Sequence, residues 1–281
     1  MMCAHTPVSR QRLPDDMRPI SPYPGYIRLG SHIFAGVLIV LFLFPFLDLG
    51  EREKRLVRWA RRLMAVVGVR VETRGRPPSV RSGGALIVAN HVSWLDIYVI
   101  HSQLPARFIS KAEVRNWPVV GWLADKAGRT LFLERTRKAD AKRMNDEMAA
   151  HLRNGDCLAL FPEGTTSDGR GLLPFYTSLF QPAVDAEITV WPARIRYLDA
   201  AGQYNSAAAY YGEMTMLSSL RTILQAGPFV AEIEFLPTIS ARGLDRRQLA
   251  AQAEAAIRAA WAGDAPDSRS GSADRLPVEA H

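Results

Sequence analysis

The chain has 281 residues, 48% of them apolar, and a formal charge of +7. That length and apolar content suit one large α/β domain with appendages, or two small domains. The two cysteines, Cys3 in a polar stretch and Cys157 inside an apolar run, exclude a disulfide framework and a cysteine metal site, and fit a reducing compartment.

The charge is uneven. The first 81 residues hold fourteen Lys or Arg against six acids, a net charge of +8, and the remaining 200 sum to −1. A basic N-terminal quarter suits nucleic acid or an anionic membrane. Residues 1–26 mix Pro, Arg, Asp and Ser without periodicity and read as a flexible tail. Residues 29–47 carry no charge beyond that possible on His32. As a helix they reach about 28 Å, enough to cross a ~30 Å hydrocarbon core with some mismatch or to enter one leaflet. Pro45 would kink or end such a helix. The alternative is a buried core helix. From Glu51 to Val69 a stripe of Leu56, Trp59, Ala60, Leu63, Met64 and Val67 is opposed by Lys54, Arg55, Arg58, Arg61 and Arg62. Beside the apolar run, this predicts an amphipathic helix on anionic headgroups, with a solvated helix face as the alternative.

Beyond a Gly/Pro/Arg-rich link with a short strand at Val69–Glu72, apolar runs alternate with helical patterns. Strands are expected at Ala85–Ala89, Thr130–Leu133, Cys157–Phe161, Ile188–Trp191 and Phe229–Leu236. Helices are expected at Ser93–Gln103, Ala112–Ala127, Arg137–Asn154 (stopped by Gly155), Met216–Ala226 and 244–262. The alternation predicts an α/β fold, a mainly parallel sheet flanked by helices, preceded by an N-terminal membrane-binding helical segment. The expected divisions are a tail at 1–26, membrane-anchoring helices at 27–69, a catalytic domain at 70–262 and a disordered tail at 263–281.

Three stretches carry chemistry. In Asn90-His-Val-Ser-Trp-Leu-Asp96, a strand ends and a helix begins, with Ser93 spaced as an N-cap before Asp96. Five residues along one helix turn roughly 500°, so His91 and Asp96 meet only if His91 lies in the loop and Asp96 in the first turn. A carboxylate on one imidazole nitrogen fixes the tautomer and makes the other a base. Leu131-Phe-Leu-Glu-Arg135 delivers an Arg at a strand end, where its fork could hold phosphate or carboxylate, or pair with Glu134 or Asp140. Phe161-Pro-Glu-Gly-Thr-Thr-Ser167 follows a buried strand, at the strand exit where α/β folds place ligands, or serves as a capped turn.

These blocks, with Phe108-Ile-Ser-Lys111 and Val190-Trp-Pro192-Ala-Arg-Ile195, resemble in order the motifs of the glycerolipid acyltransferases. The likeness is nearer to the bacterial 1-acylglycerol-3-phosphate acyltransferases and covers roughly residues 56–240. It implies acyl transfer from acyl-CoA or acyl carrier protein to a lysolipid hydroxyl, with His91 and Asp96 as the catalytic pair and no metal or bound cofactor. The acceptor site is expected at Lys111, Arg135, Phe161, Pro162, Glu163, Gly164, Thr165, Thr166, Ser167 and Pro192. Backbone amides near Gly164, or Arg135, are expected to receive the oxyanion. Thr166 departs from the family's Glu-Gly-Thr-Arg-Ser, whose Arg is linked to the acceptor phosphate; Glu-Gly-Thr-Thr-Ser looks more like relatives that acylate lyso-ornithine lipid. The competing readings are an esterase using His91 on water and a non-catalytic membrane adaptor. The expected partners are the anionic bilayer surface, the lysolipid and the acyl donor, without nucleic acid. The expected place is the cytoplasmic membrane, with the catalytic domain facing the cytoplasm.

Overall fold

A computed structural model describes residues 22–79, 83–111, 115–116, 120–126, 130–133 and 138–262. In chain order these form α1 (Pro22–Leu38), α2 (Leu49–Val66), β1 (Val69–Arg74), β2 (Ala85–Ala89), α3 (Leu95–Gln103), β3 (Arg107–Lys111), α4 (Val120–Lys126) and β4 (Thr130–Leu133). There follow α5 (Lys138–Arg153), β5 (Cys157–Leu160), α6 (Gln181–Asp185), β6 (Thr189–Leu198), α7 (Met216–Gln225), β7 (Phe229–Phe235), β8 (Ile239–Ser240) and α8 (Arg246–Ala262).

The strands build one sheet in the order β1-β7-β6-β2-β5-β3-β4, with β8 beside β6. Neighbours run parallel except β6 with β7 and β6 with β8. Strand β2 lies at the centre, and all five of its residues are buried, which explains its unbroken apolar run. Its side chains alternate between two cores. Ala85, Ile87 and Ala89 join Leu63 and Met64 of α2, Val99 of α3 and Ile223 of α7. Leu86 and Val88 join Met148 and Leu152 of α5 and Leu249, Ala253 and Ile257 of α8. The molecule is a three-layer α/β/α sandwich.

Several sequence expectations are corrected. Helix α1 begins at Pro22, so residues 22–26 are not tail: proline's fixed φ is pre-organised for a first helical position and forfeits no intrahelical bond there. Residues 1–21 and 263–281 lie outside the described residues. The apolar stripe of α2 faces the domain and not headgroups: Leu63, Met64 and Val67 are buried in the core, while Lys54 and Arg58 are exposed. Burial of Leu63 and Met64 contributes about 1.5–3 kcal/mol each, so α2 is packed onto the sheet. Strand β3 was not anticipated. Of the helix expected at Ala112–Ala127, only Val120–Lys126 is described as α-helix. Strand β6 runs through Pro192 to Leu198. Pro192 is tolerated because the partner on that edge changes there, from β8 at Val190 to β7 at Ala193, so its missing N–H faces a gap in the ladders.

Pro45 shapes the end of α1. Its ring would crowd the carbonyl of Leu41, and the chain widens into a π-helical turn at Ile39–Leu43 before closing with a 3₁₀ turn at Phe44–Phe46. Asp48 then caps α2, accepting from Glu51 N at 2.9 Å.

Candidate active site

The site begins where β2 stops. Asn90 is fully buried and continues the strand with its side chain, which pairs with the main chain of Ile195 on β6. His91 therefore leaves the sheet at a fixed point. The next turn folds back, as the five-residue spacing requires, and His91 Nδ1 lies 2.8 Å from Asp96 Oδ2. The same oxygen accepts from the amides of Val92 (2.7 Å) and Ser93 (2.9 Å). Asp96 is fully buried in the first turn of α3, where the helix dipole favours an anion. Ser93 caps as the spacing suggested: its Oγ accepts from Leu95 N at 3.3 Å, while Asp96 returns to the Ser93 amide. Helix α3 starts at Leu95, and Asp96 in its first turn reaches back to the amides of the loop before it.

The loop after β5 grips His91 from both sides. Glu163 Oε1 accepts from His91 N at 2.7 Å, and its Oε2 accepts from Leu173 N at 2.9 Å. Ser167 N donates to His91 O at 2.9 Å. Glu163 is 3% exposed, and burial pushes its carboxyl up to about 7 against the opposing pull of the two amides. Gly164 turns the loop with φ +69°, and a Cβ there would meet the Tyr176 ring at 2.7 Å. The Phe161 ring stacks on the His91 imidazole, with centroids 3.9 Å apart and planes 3° from parallel.

With Nδ1 engaged, Nε2 is the imidazole nitrogen left to the cavity that His91 lines. This cavity of about 530 Å³ lies in the size range of small-molecule sites. Helices α1, α2 and α3 supply apolar walls, through Ile33, Leu63 and Ile97 among others. An aromatic ladder continues from Phe161 to Phe108 to His101. Burial lowers the His101 pKa to about 4, so that wall is uncharged at neutral pH. Among the described residues Arg55 is the one permanently charged side chain lining the cavity.

Of the residues singled out in the sequence, His91, Phe161, Gly164 and Thr166 line the cavity. Asp96, Glu163 and Ser167 hold His91. Pro162 offers its carbonyl to Tyr176 N, and Thr165 is exposed beside the site. Pro192 does not join them; it is buried in the sheet opposite Val88. Lys111 ends β3, with its side chain outside the described parts, and Arg135 lies outside the described residues. The Gly164 amide is not available to an oxyanion, since it donates to Phe161 O in its own turn, whereas the Thr165 and Thr166 amides carry no hydrogen bond among the described residues. Among the described residues no three His, Cys, Asp or Glu side chains assemble as a metal site would require. Sequence reasoning missed Tyr197, whose hydroxyl donates to Asp96 Oδ1 at 2.6 Å from 101 residues away. The signal was the period-two alternation Ala193, Ile195, Tyr197, which puts the tyrosine on the α3 side of β6.

A sequence model of the Acyltransferase family matches residues 70–196. The chain is 39% identical over 242 residues to the lyso-ornithine lipid O-acyltransferase of Pseudomonas aeruginosa, covering 86% of this chain and 91% of that protein. It is 34% identical over 216 residues to the 1-acyl-sn-glycerol-3-phosphate acyltransferase of Neisseria meningitidis, covering 76% and 84%. The crystal structure of the 1-acyl-sn-glycerophosphate acyltransferase PlsC from Thermotoga maritima shares the fold, with a TM-score of 0.62 at 20% identity over 86% of this chain and 96% of that one.

Proposed function

The chain belongs to the glycerolipid acyltransferase family, and from that premise we propose that it moves a fatty acyl group from acyl-CoA or acyl carrier protein to the free hydroxyl of a lysolipid. The observation that carries this is the His91–Asp96 contact of 2.8 Å on the wall of an apolar cavity. His91 Nε2 takes the proton of the acceptor hydroxyl as its oxygen attacks the thioester carbonyl. Asp96 holds the tautomer and stabilises the imidazolium. The amides of Thr165 and Thr166 have no other partner among the described residues and are suited to the tetrahedral oxyanion. Collapse expels the thiolate, which recovers the proton from His91. The acceptor alcohol stands where a hydrolase keeps its serine, so no acyl-enzyme, metal or bound cofactor is needed.

Lyso-ornithine lipid is the acceptor this reading favours. Thr166 lines the cavity where the phosphate-acceptor relatives place Arg, and a hydroxyl cannot replace a bidentate guanidinium on a phosphate. The second reading, a 1-acylglycerol-3-phosphate acceptor, draws on the Neisseria relative. Acyl transfer by detergent-solubilised protein, with lyso-ornithine lipid and lysophosphatidic acid offered against each donor, decides between them. Faster turnover of lysophosphatidic acid reverses the assignment, and transfer that persists in His91→Ala removes the mechanism.

The enzyme works from one leaflet of the cytoplasmic membrane, with its domain on the cytoplasmic side. Residues Tyr23–Phe46 are long and apolar enough to cross a bilayer, at a mean hydropathy of 2.2. Yet α1 is held against protein along its length, by Gly25 on Leu224 of α7 and by Gly36 and His32 on Trp59 of α2. One side is thus taken by the domain, while Ile27, Phe34, Phe42 and Phe46 are exposed on the other. That arrangement suits a helix lying in the interface.

A further inference from the structure

We infer that Tyr197 is a positioning residue of the catalytic pair, setting through Asp96 how strongly His91 acts as a base. This goes beyond the proposed mechanism and rests on its assignment of His91 as that base.

The argument starts from an inventory of Asp96. Its Oδ2 serves three donors, His91 Nδ1, Val92 N and Ser93 N. Among the described residues its Oδ1 has one, the Tyr197 hydroxyl at 2.6 Å. Asp96 is fully buried and Tyr197 is 2% exposed, so the contact is shielded from bulk solvent. A short O–H···O⁻ bond in such surroundings is among the stronger neutral-donor contacts. It does two things. It fixes the carboxylate torsion so that Oδ2, not Oδ1, faces the imidazole. It also withdraws charge from the carboxylate, which tempers the pull of Asp96 on the imidazole proton. Tyr197 is itself held, by pairing with Ala231 of β7, by its carbonyl accepting from Asn205 N at 2.9 Å, and by the Phe229 ring with centroids 6.0 Å apart. Burial and the neighbouring Asp96 keep its phenol protonated well past the physiological range, so it remains a donor.

The consequence for pH has a sign. Without the hydroxyl, charge concentrates on Asp96 and the imidazolium gains stabilisation. Among the described residues the titratable groups in hydrogen-bond contact around the pair are His91, Asp96, Tyr197 and Glu163, whose carboxyl bonds His91 N. Glu163 is unchanged by substitution at 197, so its contribution cancels between the two proteins.

The experiment is Tyr197→Phe in the full-length, detergent-solubilised enzyme. We expect kcat to fall roughly ten- to a hundredfold, the size of one charged hydrogen bond expressed in the barrier. KM for both substrates should hold within about twofold, because neither touches Tyr197. The acid limb of the kcat/KM profile should move to higher pH. Phe229→Leu loosens the same packing but keeps the hydroxyl; it should lower the melting temperature and leave the limb in place. An unmoved limb in Tyr197→Phe, an unchanged kcat, or an equal limb shift in Phe229→Leu each overturns the proposal. His91→Ala separates the two levels: if it retains activity, the base assignment itself fails, whatever position 197 does.

Discussion

Asn90 pairs its side-chain amide with both main-chain groups of Ile195, Oδ1 accepting the N–H at 2.7 Å and Nδ2 donating to the carbonyl at 2.9 Å. The pairing lets β2 release the chain toward His91 without leaving β6 unsatisfied. Asn90→Ala strands a buried N–H and a buried C=O, at about 1–3 kcal/mol each. We expect a loss of roughly 2–5 kcal/mol in denaturant unfolding, with Asn90→Asp losing less at Oδ1 and more at Nδ2. A loss under about 0.5 kcal/mol would mean that water reaches Ile195.

Asp96→Asn should keep the fold and lose the chemistry. An amide in place of the carboxylate favours the wrong imidazole tautomer and offers no charge to the imidazolium, an effect worth about 10⁴ in kcat in the serine triad. Stopped-time acyl-transfer assays beside thermal melts test this. Activity within tenfold of the parent would remove Asp96 from its role.

Stability should carry the mark of Glu163. Burial holds its folded carboxyl up near 7, against the ordinary 4.5 that the unfolded chain returns to. Between those values the folded protein keeps a proton the unfolded chain has released, so stability from this group declines as pH rises through the window and levels off above it. Glu163→Gln cannot titrate. The melting temperature of the variant relative to the parent should therefore climb from pH 4.5 to pH 7, and a flat difference would show that the two amide donors outweigh burial.

Thr166→Arg should move acceptor preference toward lysolipids with a phosphate monoester. A guanidinium on the cavity wall restores a fork that binds phosphate at two points. The readout is the ratio of kcat/KM for lysophosphatidic acid to that for lyso-ornithine lipid, expected to rise at least roughly tenfold for one charged contact. No change in the ratio would place headgroup selection elsewhere.

Phe34, Phe42 and Phe46 are 63%, 69% and 83% exposed. Replacing all three with Asp should leave the melting temperature unchanged and reduce binding to sedimented anionic vesicles by roughly a thousandfold or more, at ~1.5–3 kcal/mol of burial per ring. Added salt should weaken the parent's binding if Arg58 and Lys54 meet lipid phosphates. Unaltered sedimentation of the triple variant would exclude α1 as the anchor.

What was legible locally was read well. The bounds of β2 and β4 match, because a short apolar run between polar stops has little freedom in length. The meeting of His91 with Asp96 followed from loop-to-helix geometry over five residues. The basic stripe of α2 misled because periodicity reports that a helix has an apolar face and says nothing of what covers it; the covering groups are α3 and β1, later in the chain. Strand β6 runs past the expected end at Trp191, through Pro192, whose missing N–H falls where the partner strand changes. Glu163 and Tyr197 hold the pair across 72 and 101 residues, contacts that exist only once the sheet order is known.

Helix α1 is at once the inner wall of the cavity, through Leu29 and Ile33, and the outermost apolar surface of the protein, through Ile27 and Phe34. With α1 seated in a bilayer as proposed, an acceptor arriving along that helix never passes through bulk water. The enzyme then counts its substrate in two dimensions: at fixed total lysolipid, diluting it with inert lipid slows turnover, while diluting the whole suspension with buffer does not.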